Sequence, residues 1–128
     1  MSIAKSTFVI DRKTPTPVEF NVGGAVRNRY EKTFSGDISG TSVVEATMLG
    51  LGDGKPLVYI AIEGFEVTVN GRTGGFILLH RAVHPEDGTT AWTILDGSGT
   101  GELAGIRGTG TITPGHEFTL EYDFSDAR

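Results

Sequence analysis

Gly97-Ser98-Gly99-Thr100-Gly101-Glu102-Leu103-Ala104-Gly105-Ile106-Arg107-Gly108-Thr109-Gly110 is the stretch whose reading decides the fold. Within it, Gly99-x-Gly101-x-x-Ala104 fits a relaxed dinucleotide fingerprint. That fingerprint works only between a strand and a helix of several turns, whose N-terminus holds the pyrophosphate. Here the chain continues Ile106-Arg107-Gly108-Thr109-Gly110-Thr111-Ile112-Thr113-Pro114-Gly115, and glycine, threonine and proline at that density make no stable helix. The stretch therefore predicts a turn that runs into a β-strand, with Gly99-Thr100-Gly101 as the bend.

The flanking sequence agrees. Runs rich in β-branched and aromatic residues recur between Gly, Pro, Asp and Asn clusters. They cover Lys5–Ile10, a short piece at Val18–Val22, then Val26–Phe34, Ile38–Leu49, Leu57–Val69, Gly75–Val83, Ala91–Leu95, Leu103–Ile112 and Glu117–Phe124. Asp11 to Pro17 is expected to close the first run. No window holds a helical period over three turns. Eight or nine strands joined by short turns predict one all-β domain over residues 1–128, an antiparallel up-and-down barrel, because closure removes the sheet edges.

Composition bounds the function. The chain has 128 residues, enough for one sizeable core. With no cysteine it has no disulfide scaffold, thiolate metal site or thiol nucleophile. A formal charge of -5 argues against a nucleic-acid partner. Met1-Ser2-Ile3-Ala4-Lys5 lacks the apolar core of a secretory leader, and the longest apolar run, Pro56–Ile62, is too short to span a bilayer. A cytoplasmic protein with no membrane partner is the expectation.

Hairpin parity then selects residues. Asn70-Gly71-Arg72-Thr73 is a strong hairpin signal. A two- or four-residue loop there puts Tyr59, Ala61, Glu63, Phe65 and Val67 on one face with Phe76, Leu78 and His80. Glu63 then falls within one pairing step of His80. The opposite face, Val58, Ile60 and Ile62 with Ile77, Leu79 and Arg81, is also largely apolar. One face is expected to line the barrel and the other to pack on a further segment or on a second subunit, which predicts a homo-oligomer. Parity alone leaves open which face is which. A two-residue turn at Pro114-Gly115 would place Arg107 inward beside Tyr122. A buried guanidinium needs a carboxylate, for which Glu63 and Glu45 are candidates.

The order Tyr59…Glu63-Gly64-Phe65…Gly71-Arg72-x-Gly74-x-Phe76-x-Leu78-x-His80…Trp92…Gly97-Ser98-Gly99-Thr100-Gly101-Glu102-Leu103 resembles a family of small bacterial proteins of unknown function grouped with the allene oxide cyclase-like barrels. Gly99-Thr100-Gly101-x-Leu103-x-x-Ile106-Arg107-Gly108 is similar to the Gly-Thr-Gly-x-Phe-x-x-Ala-Arg-Gly signature of plant dirigent proteins. The resemblance covers roughly Tyr30 to Tyr122. It implies an eight-stranded barrel with a central apolar cavity, often oligomeric, whose characterised relatives steer reactive small molecules without a cofactor. It transfers no catalytic residue to this chain.

The sequence thus nominates Glu63, His80, Arg107 and Tyr122 as catalytic groups of a cofactor-independent cyclase or isomerase acting on a small apolar molecule. Glu63 would fix the tautomer of His80 and raise its basicity. Arg107 and Tyr122 would bind a ligand oxygen. Tyr30, Tyr59 and Trp92 are expected at the cavity mouth, with Glu45, Phe65, Phe76 and Leu78 along its wall. No cofactor and no metal are expected, since His80 and His84 stand about 13 Å apart along a strand. The competing readings are a structural Glu63–His80 hydrogen bond, a carrier barrel without chemistry, and a structural oligomer.

Overall fold

Period-two alternation becomes eight strands: β1 Ser2–Val18, β2 Gly24–Gly36, β3 Ile38–Gly50, β4 Leu57–Val69, β5 Arg72–His84, β6 Ala91–Ile94, β7 Ile106–Thr113 and β8 Glu117–Phe124. The computed structural model describes residues 1–125, so the last three positions of the expected 1–128 unit lie outside the described residues. The strands pair antiparallel in chain order and β1 returns to β8, closing the barrel. The even-numbered side chains of β2, β3 and β5 and the odd-numbered ones of β4 point inward, as their burial shows. The parity expected across Asn70-Gly71 therefore holds, with Val69 opposite Arg72 and Phe65 opposite Phe76. The other face of β4 and β5 leaves Ile60, Ile62 and Leu79 in solvent.

One end of the barrel is filled. Phe65 stacks on Phe76 at 4.5 Å and on Phe118 at 5.8 Å between ring centroids, and Phe34 meets Phe65 at 5.3 Å. The glycine-rich stretch closes this end. Gly101–Leu103 makes one turn of 3-10 helix and drives the fully buried Leu103 into the core. The bend is tied to β5: Thr100 N–H donates to the Gly75 carbonyl at 2.9 Å, and Gly75 N–H donates to Thr100 Oγ1 at 2.9 Å. Glu102 Oε1 accepts from Thr73 N–H at 3.0 Å. Glycine is required at Gly99, where a Cβ would strike the Leu103 carbonyl. It is required again at Gly108, which combines a φ of 153° with the close Glu121 carbonyl. The expected turn into a strand is thus what forms, except that Leu103 belongs to the turn and β7 starts at Ile106.

The other end stays open. β1 pairs with β8 only over Ser2–Thr7, whereas it pairs with β2 as far as Val18. Asp11 to Pro17 does not close the first strand, as the sequence suggested, but continues it past a bulge between Ile10 and Arg12. Pro15 and Pro17 are tolerated because this half of β1 has a ladder on one side only. Val18–Val22 forms no strand of its own. The rims of β2 to β5 likewise rise past the short β6.

Candidate functional site

Between the aromatic plug and the open end the inward side chains turn polar. Asn28, Ala46, Ala61, His80 and Trp92 stand side by side on β2 to β6. One row toward the plug are Tyr30, Val44, Glu63 and Leu78. One row toward the open end are Val26, Met48, Tyr59 and Ala82.

Glu63 is the centre of this region, with its side chain 1% exposed. Its Oε1 lies 2.8 Å from His80 Nε2. Its Oε2 accepts from Ser42 Oγ at 2.5 Å and lies 3.4 Å from Lys32 Nζ. Burial pushes the Glu63 carboxyl up, but the His80 hydrogen bond, the Lys32 charge and the Ser42 hydroxyl together hold it below the usual carboxylate range. Glu63 is therefore ionised and can only accept. His80 Nε2 is thus the donor to it, and in a neutral ring with that tautomer Nδ1 holds the lone pair. Lys32 is steadied from its other side by the Phe8 ring, 4.3 Å from Nζ to the centroid.

Aromatic rings frame the imidazole. Tyr59 meets His80 edge-on at 6.1 Å, and Trp92 does so at 6.3 Å. Tyr30 and Tyr59 both pack over Val44, Ala46 and Ala61, where alanine leaves room for the rings. Burial, then the charges of Tyr30 and Glu63, raise the Tyr59 phenol above its ordinary value, so it stays protonated and can donate. Beyond these rings, strand ends 24–26, 48–50, 57–59 and 82–84 line a largely apolar cavity of about 540 Å³. Tyr59 is part of its wall, and His80 stands one row deeper.

The structure brings Glu63, His80, Tyr30, Tyr59 and Trp92 together, and takes the other nominated residues elsewhere. Arg107 does not point inward. The turn after β7 holds three residues, Pro114, Gly115 and His116, so that Thr113 pairs with Glu117. His116 takes a φ of 57° to close it. One residue more than expected flips every β7 side chain to the opposite face. Arg107 is exposed and its Nε donates to Asp123 at 2.7 Å. Tyr122 is inward as expected, but at the closed end, where its hydroxyl accepts from Asn70 Nδ2 at 2.7 Å. Glu45 lies on the outer face with Arg29 at 3.0 Å. Phe65, Phe76 and Leu78 fill the core rather than wall the open cavity. His84 sits at the cavity rim.

Sequence reasoning missed Lys32, Ser42 and Asn28 as members of the site. The alternation Val26, Asn28, Tyr30, Lys32, Phe34 carried the signal, for it places an amide and an ammonium on the face that also holds Phe34. Among the described residues no group of three or more His, Cys, Asp or Glu is placed to hold a metal ion. No helix among them is long and apolar enough to cross a membrane.

Comparison with known proteins agrees with this architecture. The model of a family described as "Protein of unknown function (DUF3224)" matches residues 4–125. The chain is similar to the crystal structure of a protein of unknown function from that family in Shewanella oneidensis MR-1. The two are 25% identical with a TM-score of 0.78, over 98% of this chain and 99% of that one. No functionally curated protein matches.

Proposed function

This chain belongs to the DUF3224 family, and we propose that its barrel is a cofactor-independent isomerase or cyclase acting on a small apolar molecule at the open end. One observation carries the reading. A buried, ionised Glu63 is held by His80, Lys32 and Ser42, and His80 stands in the row between that of Glu63 and that of Tyr59, which lines the cavity. A carboxylate in that position orients the imidazole and stabilises the imidazolium formed when Nδ1 takes a proton. In the proposed reaction Nδ1 removes a proton from a carbon next to a substrate carbonyl. The Tyr59 hydroxyl donates to the enolate oxygen, and the imidazolium returns the proton at another carbon. Nothing is consumed, so no cofactor is needed. The resemblance to the allene oxide cyclase-like barrels supports the same class of chemistry.

A carrier without chemistry is the second reading, favoured by the fact that both Glu63 oxygens are already satisfied within the protein. Deuterium uptake separates the two. In D2O the protein should speed exchange of the acidic C–H protons of 2-tetralone above the buffer rate, and His80→Gln should abolish the increment. Binding of 2-tetralone with no increment in exchange favours the carrier.

A further inference from the structure

We propose that this site selects a neutral ligand carrying a hydrogen-bond donor, a hydroxyl or N–H, and that Asn28 reads it. The inference rests on the reading of the open end as a ligand site. Asn28 is 3% exposed, on the inward face of β2, in the same row as His80. Its Oδ1 is buried and makes no hydrogen bond. A buried acceptor without a donor is costly, and native proteins leave few. Its neighbours in the row are Ala46 and Ala61, which offer no side-chain donor, and then His80, whose Nε2 is turned to Glu63.

The neighbourhood sets the rest of the ligand. Val26, two residues from Asn28 on the same face, lines the 540 Å³ cavity together with Met48, Leu57 and Tyr59. Such a wall takes an apolar or aromatic body. Lys32 and Glu63 already neutralise each other, so a ligand charge would find no free counter-charge in this cluster. An apolar body with one polar donor matches both features. Lined up this way, the donor is anchored at Asn28 and the ligand is held across the row that runs through His80 to Trp92.

The test uses three probes of one shape with the full chain: 2-naphthol, 2-methoxynaphthalene and 2-naphthoate. Affinity is read by calorimetry, and perturbation of Tyr59 and Trp92 by fluorescence. The expected result is 2-naphthol binding about tenfold or more tighter than the ether and the carboxylate. In Asn28→Leu, which removes the acceptor while keeping bulk, naphthol and ether should bind within about twofold of each other. Equal binding of naphthol and ether to the unmodified chain overturns the inference, as does a preference that survives Asn28→Leu. If no probe binds, the ligand-site reading falls as well. If the probes discriminate as expected but His80→Gln leaves 2-tetralone exchange unchanged, Asn28 stands and the proton-transfer reading fails.

Discussion

Glu63→Gln is the sharpest perturbation of the network inside the barrel. It removes one charge and leaves the Lys32 ammonium in a site where its side chain is 7% exposed. At the 3.4 Å separation of Lys32 Nζ and Glu63 Oε2, the Coulomb attraction is about 5 kcal/mol at an effective dielectric of 20, most of which desolvation offsets. Removing one partner leaves the other unpaired, which costs about 3–5 kcal/mol. The low end is expected, because glutamine keeps an acceptor for His80 or Ser42. Urea unfolding should show it: with a slope of about 2 kcal/mol/M, a loss of about 3 kcal/mol moves the midpoint by about 1.5 M. Adding Lys32→Met to Glu63→Gln should recover at least about 1 kcal/mol, since the stranded ammonium is gone. The pH dependence has a fixed sign. The Glu63 carboxyl is lowered in the folded state, so its contribution is whole above the ordinary carboxylate range and is lost as pH falls through the lowered value. The gap between the unmodified chain and Glu63→Gln should be level from about pH 5 to 7 and shrink on acidification. A cost below about 0.5 kcal/mol, or strictly additive Lys32 and Glu63 substitutions, would refute the coupled network.

Leu103→Ala removes the side chain that seals the closed end and should cost about 2–5 kcal/mol by the same urea assay, with no effect on probe binding at the open end. Gly108→Ala should yield mostly insoluble protein, because its Cβ meets the Glu121 carbonyl at a φ that only glycine tolerates, while Gly115→Ala in the open turn should stay soluble. Arg107→Ala should leave both melting temperature and 2-tetralone exchange within error, since the guanidinium sits in solvent beside Asp123; lost exchange would restore it to the site. Light scattering should report a homo-oligomer that covers Ile60, Ile62 and Leu79, and a strict monomer at high concentration would contradict that expectation.

The β4–β5 hairpin was legible because Asn-Gly signals a loop of two or four residues, and both lengths give the same parity. That parity alone places Glu63 within one pairing step of His80. The β7–β8 hairpin was not, because Pro114-Gly115-His116 accommodates two- and three-residue loops alike, and the choice lies in the left-handed His116. A single residue there decided the fate of Arg107. Lys32 and Ser42 pair across the β2–β3 hairpin and reach Glu63 on β4 across the longer 51–56 connection, whose sequence fixes no register by itself. The second half of β1 was hidden by its composition: prolines and charges read as a terminator, yet they suit a strand that lacks a partner on one side. The glycine-rich stretch was read correctly as a bend. Its outcome as a plug through Leu103 depended on the core it enters.

The state of the His80 ring tests the account most directly, by ¹⁵N-edited spectra of imidazole-labelled protein titrated with 2-tetralone. The account predicts a neutral ring protonated at Nε2 toward Glu63, with an unprotonated Nδ1 whose resonance moves as the ketone binds. A ring protonated at Nδ1, or an Nδ1 resonance unmoved while Tyr59 and Met48 signals shift, would contradict it.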